Sequence, residues 1–356
     1  MKKKMLSVLL AAAMTMSLIG CGTTADTATD TTETTDATET TDTADEATDA
    51  SDASTDATDA SADSDKTYTV GICQLVQHEA LDAATKGFKT ALKDKLGDNV
   101  KFDEQNAAGD APTCSTICTS FVTNNYDLIL GNATAAFQAA VSATDKIPVL
   151  GTSITDYGTA LDISDWKGVT GKNASGTTDL APLDQQASCI AELFPDAKNI
   201  GILYCSSEPN SIYQSKTITK YLEDKGYKVK DYTFSDSNDV ASVTKNACDA
   251  SDVIYIPTDN TAASCTEAIA NVVIPAGIPV IAGEQGICSG CGVATLSIDY
   301  YELGTITGQM AVKILKGEAD ISEMPVEYTD ATPKYNASIC DQLGITPLDG
   351  YEAIDG

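Results

Sequence analysis

From residue 67 onward, short apolar, β-prone runs alternate with longer stretches whose apolar positions recur every three or four places. The short runs read as buried strands and the longer stretches as amphipathic helices. Strands are predicted at 68–73, 100–106, 128–131 and 147–150, then at 199–205, 227–234, 253–256, 280–282 and 293–298. Helices are predicted at 79–96, 111–124, from about 132, at 183–194, 212–225, after 239, at 262–273 and at 302–315. Alternation of this kind gives parallel sheets with helices on both faces. Residues 157–178 are rich in Gly, Asp and Thr and read as a crossing between two such series. The two series share one rhythm, which predicts an α/β protein of two similar lobes facing across a cleft.

Polar residues collect where the strands end. The clearest case is Asp252-Val253-Ile254-Tyr255-Ile256-Pro257-Thr258-Asp259-Asn260-Thr261. Pro257 has no N–H for a sheet ladder, so the strand stops there, and Thr258 or Asp259 is placed to cap the next helix. In open α/β sheets, ligands bind at that carboxyl edge. The other strands lead to Gln77 and His78, to Thr134 and Ala135, and to Ser153, Thr155 and Asp156. In the second series they lead to Ser206, Glu208, Asn210 and Ser211, to Glu284, and to Asp299 and Tyr300. Together with Thr258, Asp259 and Asn260, these are the candidate cleft residues. Capping alone would account for Thr258 and Asp259; the recurrence favours one shared cleft.

Composition separates the first 66 residues from the rest. Three lysines precede an apolar run ending in Leu18-Ile19-Gly20-Cys21. That run is an export signal, too short to span a bilayer, and its end resembles the bacterial lipobox, which implies lipidation of Cys21. Residues 22–66 are almost wholly Thr, Ala, Asp, Ser and Glu and are expected to form a disordered acidic tether. The net charge of −30 argues against nucleic acid. All 22 basic residues are lysines, so an anionic group must be met by helix N-termini, hydroxyls or Lys rather than by a guanidinium fork. Apart from Cys21, ten cysteines fall mostly inside predicted elements and read as buried thiols. Neither cofactor nor metal is expected. The chain lacks a Walker loop, a GxGxxG and a nucleophile elbow, and its single histidine leaves little for catalysis.

Several segments resemble the lipoprotein substrate-binding proteins of ABC transporters that include tryptophan- and tyrosine-binding members. They include Val76-Gln77-His78-Glu79-Ala80-Leu81-Asp82, Gly131-Asn132-Ala133-Thr134-Ala135-Ala136, Glu208-Pro209-Asn210-Ser211, Tyr255 to Thr261, and Ile298-Asp299-Tyr300-Tyr301-Glu302-Leu303-Gly304. The resemblance implies a type I periplasmic-binding fold: two Rossmann-like lobes, hinged, closing on a solute. It implies an N-terminal lobe from 67–175 plus 303–320 and a C-terminal lobe from 176–292 plus 330–356, with later crossings near 292–303 and 317–333. Implied partners are a small organic solute, an amino acid with aromatic ones favoured, and permease and ATPase subunits. A lipid-anchored, extracytoplasmic monomer is expected, with presentation of the solute to a receptor as the alternative role. For an amino acid, the carboxylate would sit on Thr134, the amides of Ala135 and Ala136, and Ser206 or Ser211. The ammonium would pair with Asp259 or Asp299, and Tyr157 or Tyr300 would stack on an aromatic side chain.

Overall fold

The computed structural model describes residues 66–354, which belong to one compact unit, Ser61–Gly356. The export signal, Cys21 and the acidic tether lie outside the described residues.

The first series runs β1 (Tyr68–Gln74), α1 (Glu79–Leu96), β2 (Val100–Asn106), α2 (Ala111–Thr123), β3 (Leu128–Asn132), α3 (Thr134–Ala143), β4 (Val149–Ile154), α4 (Tyr157–Ala160) and β5 (Ala174–Thr178). The second continues with α5 (Leu183–Leu193), β6 (Asn199–Cys205), α6 (Pro209–Asp224), β7 (Lys228–Phe234), α7 (Val240–Cys248), β8 (Val253–Ile256), α8 (Asn260–Ser264), α9 (Thr266–Ala276), β9 (Val280–Ala282), α10 (Gln285–Cys291) and β10 (Ala294–Ile298). The chain ends with α11 (Tyr300–Leu315), β11 (Ala331–Tyr335), α12 (Ala337–Leu343) and β12 (Glu352–Ala353).

The strands form two sheets, β2-β1-β3-β4-β5 and β12-β11-β10-β9-β8-β6-β7. Every named pairing is parallel except that of β10 with β11. The middle strands are buried on both faces, as βαβ crossovers require. This is the two-lobed α/β architecture of type I periplasmic binding proteins.

Residues 157–178 are not an irregular crossing. They contain α4 and the fifth strand of the first sheet, so the expected lobe boundary at 175 falls inside β5. β5 reads as a loop because its sequence is Ala-Ser-Gly-Thr-Thr, yet four of its five residues are buried. Its hydroxyls find partners inside: Ser175 Oγ donates to the Met324 carbonyl at 3.0 Å, and Thr177 Oγ1 bonds Thr307 Oγ1 at 2.8 Å. Gly176 is required: a Cβ there would overlap the Gly151 carbonyl and the Tyr157 hydroxyl. The chain therefore passes between the sheets at 179–182, again at Asp299, and a third time between 324 and 330.

Three further differences are local. β4 extends through Ile154 instead of ending at 150, with a register irregularity between Gly151 and Ile154 that turns Ser153 to φ 59°. The helix expected at 262–273 is two helices, broken at Cys265. α10 was not anticipated: its seven residues include three small ones and two cysteines, too few apolar positions to show a helical period.

Candidate functional site

The facing edges of the two sheets close on a cavity of about 10 Å³, lined by His78, Leu81, Ser153, Thr155, Asp179, Asn210, Thr258, Asp259, Asn260, Ala263, Glu284 and Tyr300. That is room for about one water, far below the roughly 300–1,000 Å³ of small-molecule sites, so a solute needs the lobes to part. The start of α1 and the end of β4 supply one wall. The start of α6 and the β8–α8 and β9–α10 turns supply the other. Asp179 and Tyr300 come from two of the segments that cross between the sheets.

Each crossing residue is held in place. Tyr300 donates its hydroxyl to Asp179 Oδ2 at 2.9 Å, and Thr155 Oγ1 donates to Asp179 Oδ1 at 3.2 Å. Gln214, buried on α6, donates to Thr155 Oγ1 at 3.0 Å and to Thr258 Oγ1, so one amide ties β4 to the facing lobe. His78 Nε2 lies 3.2 Å from Asn260 Oδ1, a second bond between the walls.

Three carboxyls line the cavity and no lysine does. Burial pushes Asp179 up to about 6, against bonds from Tyr300 and Thr155 that favour the ionised form. Burial pushes Glu284 up to about 7, although the amides of Gly286 and Ile287 cap onto it. Asp259 is also raised, by burial and then by the neighbouring Glu208. Each shift expresses a negative charge withdrawn from water without a cation to offset it.

Not every polar atom has a partner. His78 Nδ1 and Ser153 Oγ, of residues on the cavity wall, and Thr134 Oγ1 at the start of α3 are buried with no hydrogen bond. Buried polar atoms are normally satisfied. Ser153 also holds a left-handed backbone uncommon for a residue with a Cβ. α3 starts without a side-chain cap, and the amides of a helix's first turn have no partner within the helix.

The candidates read from the sequence divide accordingly. His78, Ser153, Thr155, Asn210, Thr258, Asp259, Asn260, Glu284 and Tyr300 line the cavity. Thr134 is buried at the α3 start but off the lining. Gln77 is exposed and faces outer grooves, because the β1–α1 loop turns its neighbour His78 inward instead. Ala135 and Glu208 line a second pocket, Glu208 buried with its carboxylate on the Asn260 and Thr261 amides. Asp156 caps α4, Ser206 is exposed and bonded to the Phe234 carbonyl, and Ser211 donates to Asp259 Oδ2 at 2.7 Å. Asp299 is exposed and caps α11, so it cannot meet an enclosed ammonium. Asp259 is already engaged by Ser211, by the Cys205 amide at 2.7 Å and by the Ala262 amide at 2.7 Å. Tyr157 is sealed in the core, donating to the Gly151 carbonyl at 3.0 Å with its ring stacked on Trp166. Leu81, Asp179, Gln214 and Ala263 were missed. Asp179 follows the strand-end rule that found the others, but β5 had not been recognised as a strand.

The ten cysteines among the described residues are free thiols. No group of three or more His, Cys, Asp or Glu among the described residues could hold a metal ion.

Two α/β lobes, linked by three chain segments and closing on a polar cavity, define a two-lobe binding protein. The chain belongs to the ABC transporter substrate binding protein family, whose model matches residues 69–350. Members of this family bind solutes for ABC transporters and are not enzymes. The chain is 38% identical over 273 residues to a tyrosine-binding protein of Clostridioides difficile (strain R20291), covering 76% of this chain and 79% of that one. An ABC domain in complex with L-Trp from Streptococcus pneumonia superposes with a TM-score of 0.77 at 32% identity, over 81% of this chain and 100% of that one. A ligand-free, open substrate binding protein with adhesive properties from Clostridium difficile is 36% identical over 81% of this chain and 99% of that one, but gives a TM-score of only 0.62. The chain thus superposes better on the L-Trp-bound structure than on the open one, although the open one is closer in sequence.

Proposed function

We propose that the protein is the solute-binding lipoprotein of an ABC importer and captures a free aromatic amino acid between its lobes. The observation that carries this reading is the chamber's charge: Asp179, Asp259 and Glu284 line it without a lysine. A solute bringing an ammonium supplies the missing cation. Asp179 is its partner, and Glu284 adds negative charge from the wall; Asp259 and Glu284 both hold the amides of their own turns. The carboxylate goes to the opposite wall, where Ser153 Oγ and Thr134 Oγ1 lack partners near the uncapped start of α3. A helix N-terminus meets an anion without a guanidinium. The aromatic preference rests on the tyrosine-binding and L-Trp-bound relatives, with Tyr300 and Leu81 as apolar wall.

In this reading Cys21 carries the lipid, the acidic segment to residue 66 tethers the lobes outside the cytoplasm, and permease and ATPase subunits receive the solute. Among the described residues no helix is long and apolar enough to cross a membrane.

A thermal-shift and calorimetry series with L-tyrosine, L-tryptophan, L-phenylalanine and their deaminated analogues tests the reading. The amino acids are expected to stabilise the protein by about 2.7 kcal/mol at a hundredfold excess over Kd, and the analogues lacking the amine far less. Equal binding of aminated and deaminated compounds would overturn the ammonium assignment.

A further inference from the structure

His78 is the single histidine of the chain. It sits at the start of α1 and reaches Asn260 on the facing lobe, Nε2 to Oδ1 at 3.2 Å. The direction of that bond is fixed from behind. Asn260 turns its amide nitrogen to Glu208 Oε2 at 2.7 Å, and its backbone N–H reaches the same oxygen at 3.0 Å. The other Glu208 oxygen accepts from the Thr261 amide and hydroxyl, each at 2.8 Å. A carboxylate meeting so many donors is an acceptor, so the Asn260 nitrogen must face it and the Asn260 oxygen must face His78. Nε2 therefore carries the proton, and Nδ1 of the neutral ring is left with a lone pair. That atom is buried, lacks a partner, and belongs to a residue on the chamber wall.

Resting on the amino-acid reading above, we propose that His78 makes closure conditional on the solute. Nε2 latches onto Asn260 across the cleft, while Nδ1 accepts a hydrogen bond from the solute's ammonium. An aminated solute satisfies the ring in the closed state. A solute without that donor leaves a buried nitrogen unanswered at the moment the latch forms, so specificity and closure are read by the same ring. The ring must stay neutral to do this, and burial favours the neutral form over the opposing pull of Asn260, Glu208 and Asp82.

The single histidine makes the test direct. The protein labelled with ¹⁵N-histidine gives one pair of ring nitrogen signals, followed while L-tyrosine is added to saturation. The proposal expects the bound form to be neutral with the proton on Nε2, and the Nδ1 signal to move as it takes up its hydrogen bond. A bound form protonated on Nδ1, an imidazolium, or a spectrum unchanged by bound tyrosine would overturn it. Calorimetry supplies the second arm. His78→Phe is expected to weaken L-tyrosine by about 10- to 100-fold, the worth of a hydrogen bond to a charged group. It should weaken 3-(4-hydroxyphenyl)propanoate, which has no amine, much less. Equal losses for both compounds would reduce His78 to a latch that does not read the solute, and would also overturn the proposal. Tyrosine that binds while the histidine stays silent refutes this inference alone. Tyrosine that fails to bind refutes the amino-acid reading, and this inference with it.

Discussion

Asp179 concentrates the electrostatics of the chamber on one side chain. Its carboxyl is raised to about 6, and Glu284 to about 7, both chiefly by burial. An acid raised in the folded state binds more protons folded than unfolded, so the stability it contributes is present at low pH and lost as pH rises through the folded value. The ligand-free protein is therefore expected to lose stability between pH 4 and 8, by about 3 kcal/mol for Asp179 alone at 1.36 kcal/mol per unit. Thermal melts across that range check it, and Asp179→Asn should flatten the curve. A bound ammonium reverses the sign, holding both groups ionised. Affinity should then fall as pH drops through 7 and 6, and binding near pH 6.5 should release protons, which calorimetry in buffers of different ionisation enthalpy detects. Asp259 is a different case: it caps α8 and holds the Cys205 amide and Ser211. Asp259→Ala should cost about 2–3 kcal/mol in urea unfolding, from a lost cap and an unsatisfied buried amide. Most of the chamber was legible at this scale because strand-end polar residues have one place to go in a parallel sheet. Gln214 was not, since nothing in a mid-helix glutamine announces that it reaches across a cleft.

Among the elements, α1 and α11 make the closest approach. A Cβ on Gly304 would overlap the Ala84 carbonyl, one on Gly87 the Tyr301 carbonyl, and one on Gly308 would crowd Ala91 and Phe88. The two backbones touch along this seam, and α11 begins at Tyr300, whose hydroxyl holds Asp179. Gly304→Ala should push the helices apart and cost about 1–3 kcal/mol, the usual penalty for overpacking. It should also weaken solute binding by displacing Tyr300; thermal unfolding and calorimetry on one preparation separate the two effects. The helices themselves were readable from their period. The seam was not, because an isolated glycine in a helical pattern reads as weakness until its neighbour is known. β5 escaped for the opposite reason: hydroxyls that look solvent-seeking in sequence are paired with Met324, Thr152 and Thr307 in the interior.

For the molecule as a whole, the bonds that span the cleft set its behaviour. His78–Asn260 and Gln214–Thr155 exist only with the lobes together. The solute touches both walls, so it binds the closed form preferentially and shifts the population towards it. Small-angle scattering should show the radius of gyration falling when tyrosine is added, and Gln214→Ala should leave the unliganded protein more open. The two-lobe plan followed from the repeated βα rhythm. The sharing of segments between lobes came instead from the family resemblance, because β11, α12 and β12 lie in a polar C-terminal stretch with little periodicity.

The threefold passage between the sheets means that neither lobe is one continuous stretch of polypeptide. A protease nicking the 179–182 link would yield two fragments, each incomplete: the first lacks the helix packed along α1, and the second carries that helix with no sheet to cover. Such halves should stay assembled after cleavage, and co-expressed separately they should find each other. The fold thereby lends itself to fragment complementation, with reassembly itself as the readout of a solute.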